Sequence, residues 1–159
     1  MKALIISDTH GVCENLDKVL ESERPYDLVI HLGDLEGAED YLEAAAACPV
    51  EAVRGNNDYF SDLPDEKVIE VAGKQVLITH GHYYYVAAGV EKLIKEAMGR
   101  NIDIVMFGHT HRPLLRQKRG LVVLNPGSLS YPRQEGHKPS YMVMESSSKG
   151  EINFLLKFL

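Results

Sequence analysis

Five short polar segments, each following an apolar run, carry the side chains of this chain that are best suited to chemistry. They supply carboxylates, an amide and several imidazoles, which are donors that borderline divalent metal ions accept. The donors are too many for one tetrahedral ion, so the sequence predicts a hydrolytic centre with two metals. The segments are Asp8-Thr9-His10, Gly33-Asp34, Gly55-Asn56-Asn57-Asp58, Thr79-His80-Gly81-His82 and Gly108-His109-Thr110-His111.

Each segment taken alone is a weaker signal. Asp8 could cap a helix, and both Gly33-Asp34 and the Gly-Asn-Asn-Asp segment are typical of turns. The pair His109 and His111 is harder to explain by packing, because a buried neutral imidazole needs partners at both nitrogens. Five such segments at successive strand ends favour one shared site over five separate structural roles.

Apolar runs and helical periodicity predict the elements that position these segments. The first half alternates strands with helices, which predicts parallel strands joined by right-handed crossovers. The second half contains two predicted hairpins. The predicted strands cover residues 2–7, 28–32, 50–53, 67–71, 75–79, 104–107, 114–117, 121–124, 140–145 and 152–158, and the predicted helices cover 14–23, 39–47 and 86–100.

We expect these elements to form two mixed β-sheets packed together with helices outside. This is an α/β fold with four αββα layers, in one domain over residues 1–159. The polar segments then follow the carboxyl ends of strands, which is where open α/β sheets bind ligands. Their position therefore supports a functional site independently of their residue types.

Composition narrows the class of protein. The chain has a net charge of −6 and therefore lacks the excess of basic residues with which proteins bind long nucleic acids. Bound metal cations would still attract a short anionic substrate. Cys13 and Cys48 show no CxxC spacing, which fits reduced thiols. The first apolar stretch is too short for a signal peptide, and no run approaches the ~20 residues of a bilayer span. We predict a cytoplasmic protein without a membrane partner.

The set and order of the five segments resemble the signature of the calcineurin-like metallophosphoesterase superfamily. That signature runs DxH, GD, GNH-D/E, a GH-type element and GHxH. The small size of the chain and its Asn125-Pro126-Gly127-Ser128 segment are similar to the compact bacterial and archaeal phosphodiesterase branch. The resemblance extends from Asp8 to the strand at Tyr141, and it implies the αββα fold and a metal-dependent phosphoesterase activity.

The resemblance also implies a ligand set for two metal ions. Asp34 would bridge the ions, and a hydroxide held between them would attack phosphorus in line. Manganese is the expected ion, and iron, zinc, nickel and cobalt accept the same donors. The first ion would be bound by Asp8, His10 and His111, and the second by Asn56, His80 and His109.

Position 57 departs from the pattern of many superfamily members, which carry a histidine there. An amide cannot supply a proton near pH 7, so Asn57 predicts a preference for good leaving groups or another acid. His82 is a candidate for that acid, and it could instead orient a ligand or the phosphate. Arg112 could neutralise a phosphate and completes the predicted catalytic residues.

The sequence assigns no single role in the predicted site to several other residues. Tyr83-Tyr84-Tyr85 could stack on a base or aryl group of a substrate, or could serve packing or a subunit contact. We expect His31 to be a hydrogen-bonded core residue and His137 to lie on the surface. Lys118 and Arg119 are expected at an exposed hairpin tip.

The leading functional hypothesis is a binuclear phosphodiesterase that acts on a small phosphodiester. A phosphomonoesterase or nucleotide phosphatase would use the same site. A non-catalytic scaffold is a third hypothesis, because the retromer scaffold subunit is similar in fold, but that subunit lacks the first histidine ligand and this chain has His10. A mononuclear metal-binding regulator would leave Asp34 and Asn56 without a role. The resemblance allows a homodimer or a homotetramer.

Overall fold

Ten β-strands and three α-helices make up the chain, which the computed structural model describes over residues 1–159. The helices are α1 (Glu14–Ser22), α2 (Glu39–Ala46) and α3 (Glu91–Gly99), and a single 3-10 turn covers His82–Tyr84. The strands are β1 (Lys2–Ile6), β2 (Leu28–His31), β3 (Val50–Ala52), β4 (Glu66–Val71), β5 (Lys74–Thr79), β6 (Ile104–Phe107), β7 (Leu114–Lys118), β8 (Leu121–Asn125), β9 (Ser140–Ser146) and β10 (Ile152–Phe158).

The strands form two mixed sheets of five. The first sheet has the order β10-β9-β1-β2-β3, with β1, β2 and β3 parallel. The second has the order β4-β5-β6-β8-β7, with β5, β6 and β8 parallel and an antiparallel strand at each edge. The register pairs Ile6 with His31 and Thr79 with Phe107, so the polar segments that follow these strands start level with each other in each sheet.

Side-chain alternation along the strands produces the four layers. In β1, Ala3 and Ile5 face the core between the two sheets, whereas Leu4 and Ile6 face the core shared with α1 and α2. The outer face of the second sheet packs against α3 through residues such as Leu93. This arrangement confirms the predicted αββα fold. None of the three helices has the length and apolar character needed to cross a membrane.

The third helix is shorter than predicted, because it begins at Glu91 and not at residue 86. The backbone before it is not helical, since Tyr85 has a φ of 56° and Gly89 a φ of 152°. Val86 is nevertheless buried in the same core as the apolar face of α3. The apolar spacing predicts a helix from residue 86 because the residues before Glu91 bury side chains in the same core as α3. Their backbone, however, forms turns and not a helix.

Both predicted hairpins are confirmed, and each has a two-residue turn. Ala72 and Gly73 join β4 to β5, and Arg119 and Gly120 join β7 to β8. All four residues have positive φ, as the central residues of type I′ turns do, and the twist of such turns matches that of the flanking strands. Lys74, which lies between the predicted strands 67–71 and 75–79, is the first residue of β5, and Lys118, which is predicted at the tip of the second hairpin, is the last residue of β7.

Candidate metal centre

The segments that follow β1 and β2 meet the segments that follow β5 and β6 between the two sheets. His111 Nε2 lies 3.1 Å from Asp8 Oδ1, and His80 Nε2 lies 3.4 Å from Asp34 Oδ2. Each of these contacts joins a loop of one sheet to a loop of the other. The fold thus brings distant parts of the sequence to one place.

Four residues form a first donor group. Asp8, His10, Asp34 and His111 each offer one ligand atom, and these atoms all lie within 4.8 Å of one another. Three of the four residues are buried and His10 is half-buried. Two carboxylates and two imidazoles at this spacing suit a divalent cation.

A second donor group lies beside Asp34 and also approaches Asp8, since His80 Nε2 is 4.0 Å from Asp8 Oδ1. His80 Nε2 is 3.1 Å from Asn56 Oδ1, and the rings of His80 and His109 meet edge to face with centroids 5.2 Å apart. Asp34 Oδ2 is 3.4 Å from His80 Nε2 and 3.7 Å from His10 Nε2. This one carboxylate oxygen therefore borders both donor groups.

Outer hydrogen bonds determine which nitrogen of three rings faces the centre. Each ring donates its Nδ1–H to a fixed acceptor at 2.7 Å, so an Nε2 lone pair points inward. This pattern orients histidines that bind metals. The acceptors are Glu36 Oε1 for His10, the Leu32 carbonyl for His80 and the Tyr131 carbonyl for His111.

The inward-facing atoms fit a divalent cation. Asp8 Oδ1 is buried and has no hydrogen-bond partner, which is costly for a charged oxygen. The Nε2 atoms of His10 and His111 lie 3.3 Å apart, although both rings donate their protons outward. Lone pairs facing each other at this distance repel unless a positive charge lies among them.

Both carboxylates are held in the ionised form. Burial raises the pKa of Asp8, but the His111 and His80 rings lower it more, and the net pKa is below the ordinary value. Burial likewise raises the pKa of Asp34, and His80 together with the N–H groups of Asn57 brings it below the ordinary value. Metal binding requires deprotonated carboxylates, which is the state that these neighbours favour.

The pKa shifts of the histidines have opposite directions. Burial, reinforced by the nearby His80 ring, lowers the pKa of both His82 and His109. Burial acts the same way on His80, but the carboxylates of Asp34 and Asp8 outweigh it and raise the pKa of that ring. The negative charge that favours a proton on His80 would equally attract a metal cation.

Left-handed backbone conformations cluster at the centre. Non-glycine residues seldom adopt positive φ, and those that do are concentrated at functional sites. Five of the seven predicted ligands have such φ values, namely 55° at Asp8, 47° at His10, 58° at Asp34, 67° at His109 and 57° at His111. The strained turns give a second, backbone-level indication of a functional site.

Two glycines allow side chains of the centre to approach the backbone. A Cβ at position 55 would lie 2.1 Å from Asp34 Oδ1. A Cβ at position 108 would lie 2.1 Å from Ser7 Oγ and 2.9 Å from Asp8 Oδ2. These overlaps explain why Gly55 and Gly108 precede the donors of their segments.

Asp58 is a positioning residue that the sequence patterns did not single out. Its buried Oδ2 accepts N–H groups from Asp34 at 2.8 Å and Gly55 at 2.7 Å, and its Oδ1 accepts the Glu36 N–H at 2.6 Å. It therefore ties the loop after β2 to the loop after β3. In the sequence, the one indication of this role is the position of Asp58 at the end of the Gly-Asn-Asn-Asp segment.

The 125–128 segment supports the opposite side of the centre. The Ser128 hydroxyl donates to the Asp8 carbonyl at 2.8 Å, and Asn125 Nδ2 donates to the Gly108 carbonyl at 2.7 Å. Both side chains are buried. They hold the backbone turns that aim Asp8 and the residues after β6.

His31 is a buried, hydrogen-bonded core residue, as expected. Burial lowers its pKa to about 4, so the ring is neutral at pH 7. Its Nδ1 accepts the Gly33 N–H at 3.2 Å, and its Nε2 lies 3.1 Å from Thr9 Oγ1, to which it donates. The ring links the loops that carry Asp8 and Asp34. His137 is exposed, also as expected.

The three predicted catalytic residues have different surroundings. Asn57 is at the centre, where its backbone N–H and Nδ2 donate to the two Asp34 oxygens at 2.9 and 2.8 Å. His82 is half-buried beside the second donor group, and its Nδ1 is buried without a hydrogen-bond partner. Arg112 is exposed and outside both groups, with Nε donating to the Arg133 carbonyl at 3.3 Å. Their catalytic roles stay predictions.

The three consecutive tyrosines do not form one stacking wall. Tyr84 is half-buried against the core around α3, and its hydroxyl donates to Glu66. Tyr83 and Tyr85 are exposed. Tyr83 packs against His82, with ring centroids 4.1 Å apart, so it is the one of the three that adjoins the centre.

Residues 1–149 match the family model described as the calcineurin-like phosphoesterase superfamily domain. The chain belongs to this superfamily. Two relatives agree with that placement. The probable metallophosphoesterase YsnB of Bacillus subtilis is 35% identical over 84% of this chain and 78% of its own length. Phosphodiesterase YfcE of Escherichia coli K12 is 30% identical over 92% of this chain and 88% of its own.

Solved structures confirm the superfamily fold. A conserved protein of Streptococcus pneumoniae TIGR4, described as a predicted phosphoesterase, superimposes with a TM-score of 0.82 at 27% identity, covering 99% of this chain and 88% of its own. Wild-type Vps29 of Entamoeba histolytica, solved in complex with zinc, has a TM-score of 0.78 at 24% identity and covers 99% of both chains. The second comparison shows the fold alone.

Proposed function

We propose that this superfamily member is a phosphodiesterase that uses two divalent metal ions to hydrolyse a small phosphodiester. The position of Asp34 carries the proposal, because its Oδ2 lies 3.7 Å from His10 Nε2 and 3.4 Å from His80 Nε2. Two dications about 3.5–4 Å apart repel each other strongly unless an anion lies between them. A carboxylate shared by two donor groups meets that requirement.

Seven side chains would hold the two ions. Asp8, His10 and His111 would bind the first ion and Asn56, His80 and His109 the second, with Asp34 bridging. Mixed nitrogen and oxygen donors are compatible with manganese, which we expect, and with iron, zinc, nickel or cobalt. When bound, the ions supply a water-derived nucleophile at neutral pH and neutralise charge on the phosphoryl oxygens.

The chain's own residues orient this centre. Glu36 and the carbonyls of Leu32 and Tyr131 keep three Nε2 lone pairs aimed inward, and Asp58 holds the backbone that carries Asp34. These contacts fix the donors before any substrate binds, so little reorganisation is needed during the reaction.

Asn57 favours an ester with a good leaving group. Its side-chain amide donates to Asp34 and cannot supply a proton to a departing alkoxide near pH 7. Such a site suits esters of acidic alcohols. The name of the relative YfcE, a phosphodiesterase, also supports a diester over a monoester.

The other hypotheses have less support. A phosphomonoesterase would use the same donors, but the relatives named for their substrate class are phosphodiesterases. A non-catalytic scaffold would not need a complete donor set, whereas all seven positions hold competent side chains and His10 is oriented by Glu36. A mononuclear regulator would leave the position of Asp34 between two donor groups unexplained.

A hydrolysis screen tests the proposal. Protein loaded separately with Mn²⁺, Zn²⁺, Ni²⁺ or Co²⁺ is assayed with bis(p-nitrophenyl) phosphate and with p-nitrophenyl phosphate. We expect metal-dependent cleavage, faster for the diester. Asp34→Asn should abolish it, and Asp40→Asn, a change at an exposed carboxylate of α2, should not. A monoester preference would overturn the diesterase assignment, and no cleavage with any ion would favour the scaffold.

A further inference from the structure

We propose that a cavity between the start of α3 and β7 binds a second phosphate group, carried by the substrate at a distance from the phosphodiester that is cleaved. The inference rests on the proposed phosphodiesterase function and narrows its substrate class. This cavity will be called the arginine cavity, and it is lined by Val86 to Glu91, Phe107, His109, Thr110, Arg112 to Leu114, Arg116 and Arg133.

The arginine cavity opens directly beside the candidate metal centre. Its volume is about 700 Å³, which is enough for a nucleotide-sized ligand. His109, a predicted ligand of the second ion, is part of its lining. A substrate whose diester lies at the metal centre can therefore extend from the centre directly into the arginine cavity.

Positive charge is concentrated in this cavity. Three of the chain's seven arginines line it, although the whole chain has a net charge of −6. None of these three guanidinium groups is paired with a carboxylate, since the ion pairs formed by lysine and arginine in this chain all involve other residues. Glu91 is the single acidic residue of the lining. Unpaired guanidinium groups bind phosphate oxygens through charge-assisted hydrogen bonds.

The amino terminus of α3 adds a second feature that favours an anion. Gly89, Val90 and Glu91 line the cavity, and the nine-residue helix begins there; its N-cap residue Val90 makes no side-chain hydrogen bond, and Glu91 is the one acidic residue of its first turn. The free N–H groups at the start of a helix and the helix dipole attract negative charge. The helix and the arginines approach the same cavity from different parts of the chain.

The cavity on the other side of the centre has the opposite charge. It measures about 720 Å³ and includes Asn57 in its lining. Five of its lining residues are acidic and none is basic; the acidic residues are Glu36, Glu39, Asp40, Asp58 and Asp62. An additional phosphate would be repelled there and attracted to the arginine cavity. The electrostatic potential is therefore negative on the side of the centre that includes Asn57 and positive on the side that includes the arginine cavity.

This charge distribution specifies the substrate class. The preferred substrate is a phosphodiester in which one esterified group also carries a phosphate monoester, as in a phosphorylated nucleoside. Ala87 and Ala88, which are exposed, and Leu114, which is half-buried, offer apolar contact to the organic part between the two phosphates. The second phosphate is bound and left unchanged, and its binding orients the diester at the centre.

A matched pair of substrates tests the inference. Thymidine 5′-(p-nitrophenyl phosphate) contains only the diester, and its 3′-phosphorylated form adds the second phosphate. We expect kcat/KM to be about tenfold or more higher for the phosphorylated form, mainly through KM, because the added phosphate accepts charge-assisted hydrogen bonds from the guanidinium groups. The double variant Arg116→Gln/Arg133→Gln should lose this advantage and keep its activity on bis(p-nitrophenyl) phosphate. Arg119→Gln, at the hairpin tip outside the cavity, should behave as wild type.

A binding measurement separates this inference from the proposed function. Calorimetry with thymidine 3′,5′-bisphosphate in EDTA requires neither metal nor turnover, and the double variant should bind about tenfold more weakly than wild type, because it lacks two donors of charge-assisted hydrogen bonds. Equal binding and equal cleavage of the paired substrates by both proteins would overturn the inference, even if the diesterase assignment holds. Arginine-dependent binding without cleavage of any ester would support the anion site while refuting the proposed function.

Discussion

Asp58 shows how a residue outside the predicted ligand set controls the centre, because its carboxylate accepts N–H groups from Asp34, Gly55 and Glu36. In Asp58→Asn, an NH₂ group would face at least one of these N–H donors. We expect metal affinity to fall about 10–100-fold, as it does when the partners of metal ligands are removed, while the fold persists. Titration with Mn²⁺ measures the change, and Asp62→Asn, an exposed carboxylate of the same loop, is the control. Unchanged affinity in Asp58→Asn would refute the positioning role.

Asn57→His tests the proposed origin of leaving-group preference. The variant should retain its metals, because position 57 is outside the predicted ligand set. An imidazolium can donate a proton, so cleavage of diesters with poor leaving groups should rise at least about tenfold relative to p-nitrophenyl esters. The dependence of kcat/KM on leaving-group pKa measures this, and metal content is determined on the same samples. Loss of metal from the variant would show that binding and leaving-group preference are not separable at this position.

At the scale of the elements, strand ends and the glycines beside them place the donors. Gly108→Ala would put a Cβ 2.1 Å from Ser7 Oγ and 2.9 Å from Asp8 Oδ2, so the turn after β6 must move. We expect loss of metal binding and of hydrolysis together with a lower melting temperature. Gly99→Ala at the end of α3 is the control, since a Cβ there meets nothing within 4 Å. A Gly108→Ala protein with normal metal content would contradict the account of this turn.

The elements differ in how far they could be predicted from sequence. β1, β2 and β6 are continuous apolar runs that end in polar segments, and such runs indicate buried strands by themselves. The start of α3 was predicted wrongly, because Val86 is buried without being helical. The ligand types were visible in the segments, whereas the role of Asp58 and the arginine cavity depend on contacts between separate loops, which local patterns do not encode.

At the scale of the whole molecule, Glu23 at the end of α1 joins the first sheet to its helices. Burial raises its pKa, but Lys157, Lys2 and Tyr141 donate hydrogen bonds to its carboxylate and lower the pKa from 4.5 to about 2. These contacts therefore stabilise the fold fully above pH 4.5, and the stabilisation is lost as the pH falls toward 2. Glu23→Gln should lower the free energy of unfolding by about 1–2 kcal/mol at pH 7, since both lysines are partly exposed.

Denaturant unfolding at several pH values measures this contribution. The difference between wild type and Glu23→Gln should shrink as the pH falls from 4.5 toward 2, because the wild-type carboxyl becomes neutral like the amide. Glu21→Gln, at an exposed position on the same helix, should show no such pH-dependent difference. A constant difference across this range would mean that packing, and not charge, accounts for the effect of Glu23.

Anomalous diffraction from crystals grown with Mn²⁺ tests whether two metal ions share Asp34. We expect two peaks per chain, about 3.5–4 Å apart, with the Asp34 carboxylate between them. One peak should lie among Asp8, His10 and His111, and the other among Asn56, His80 and His109. A single peak coordinated by imidazoles alone, with Asp34 turned away from it, would refute the shared carboxylate and the binuclear centre.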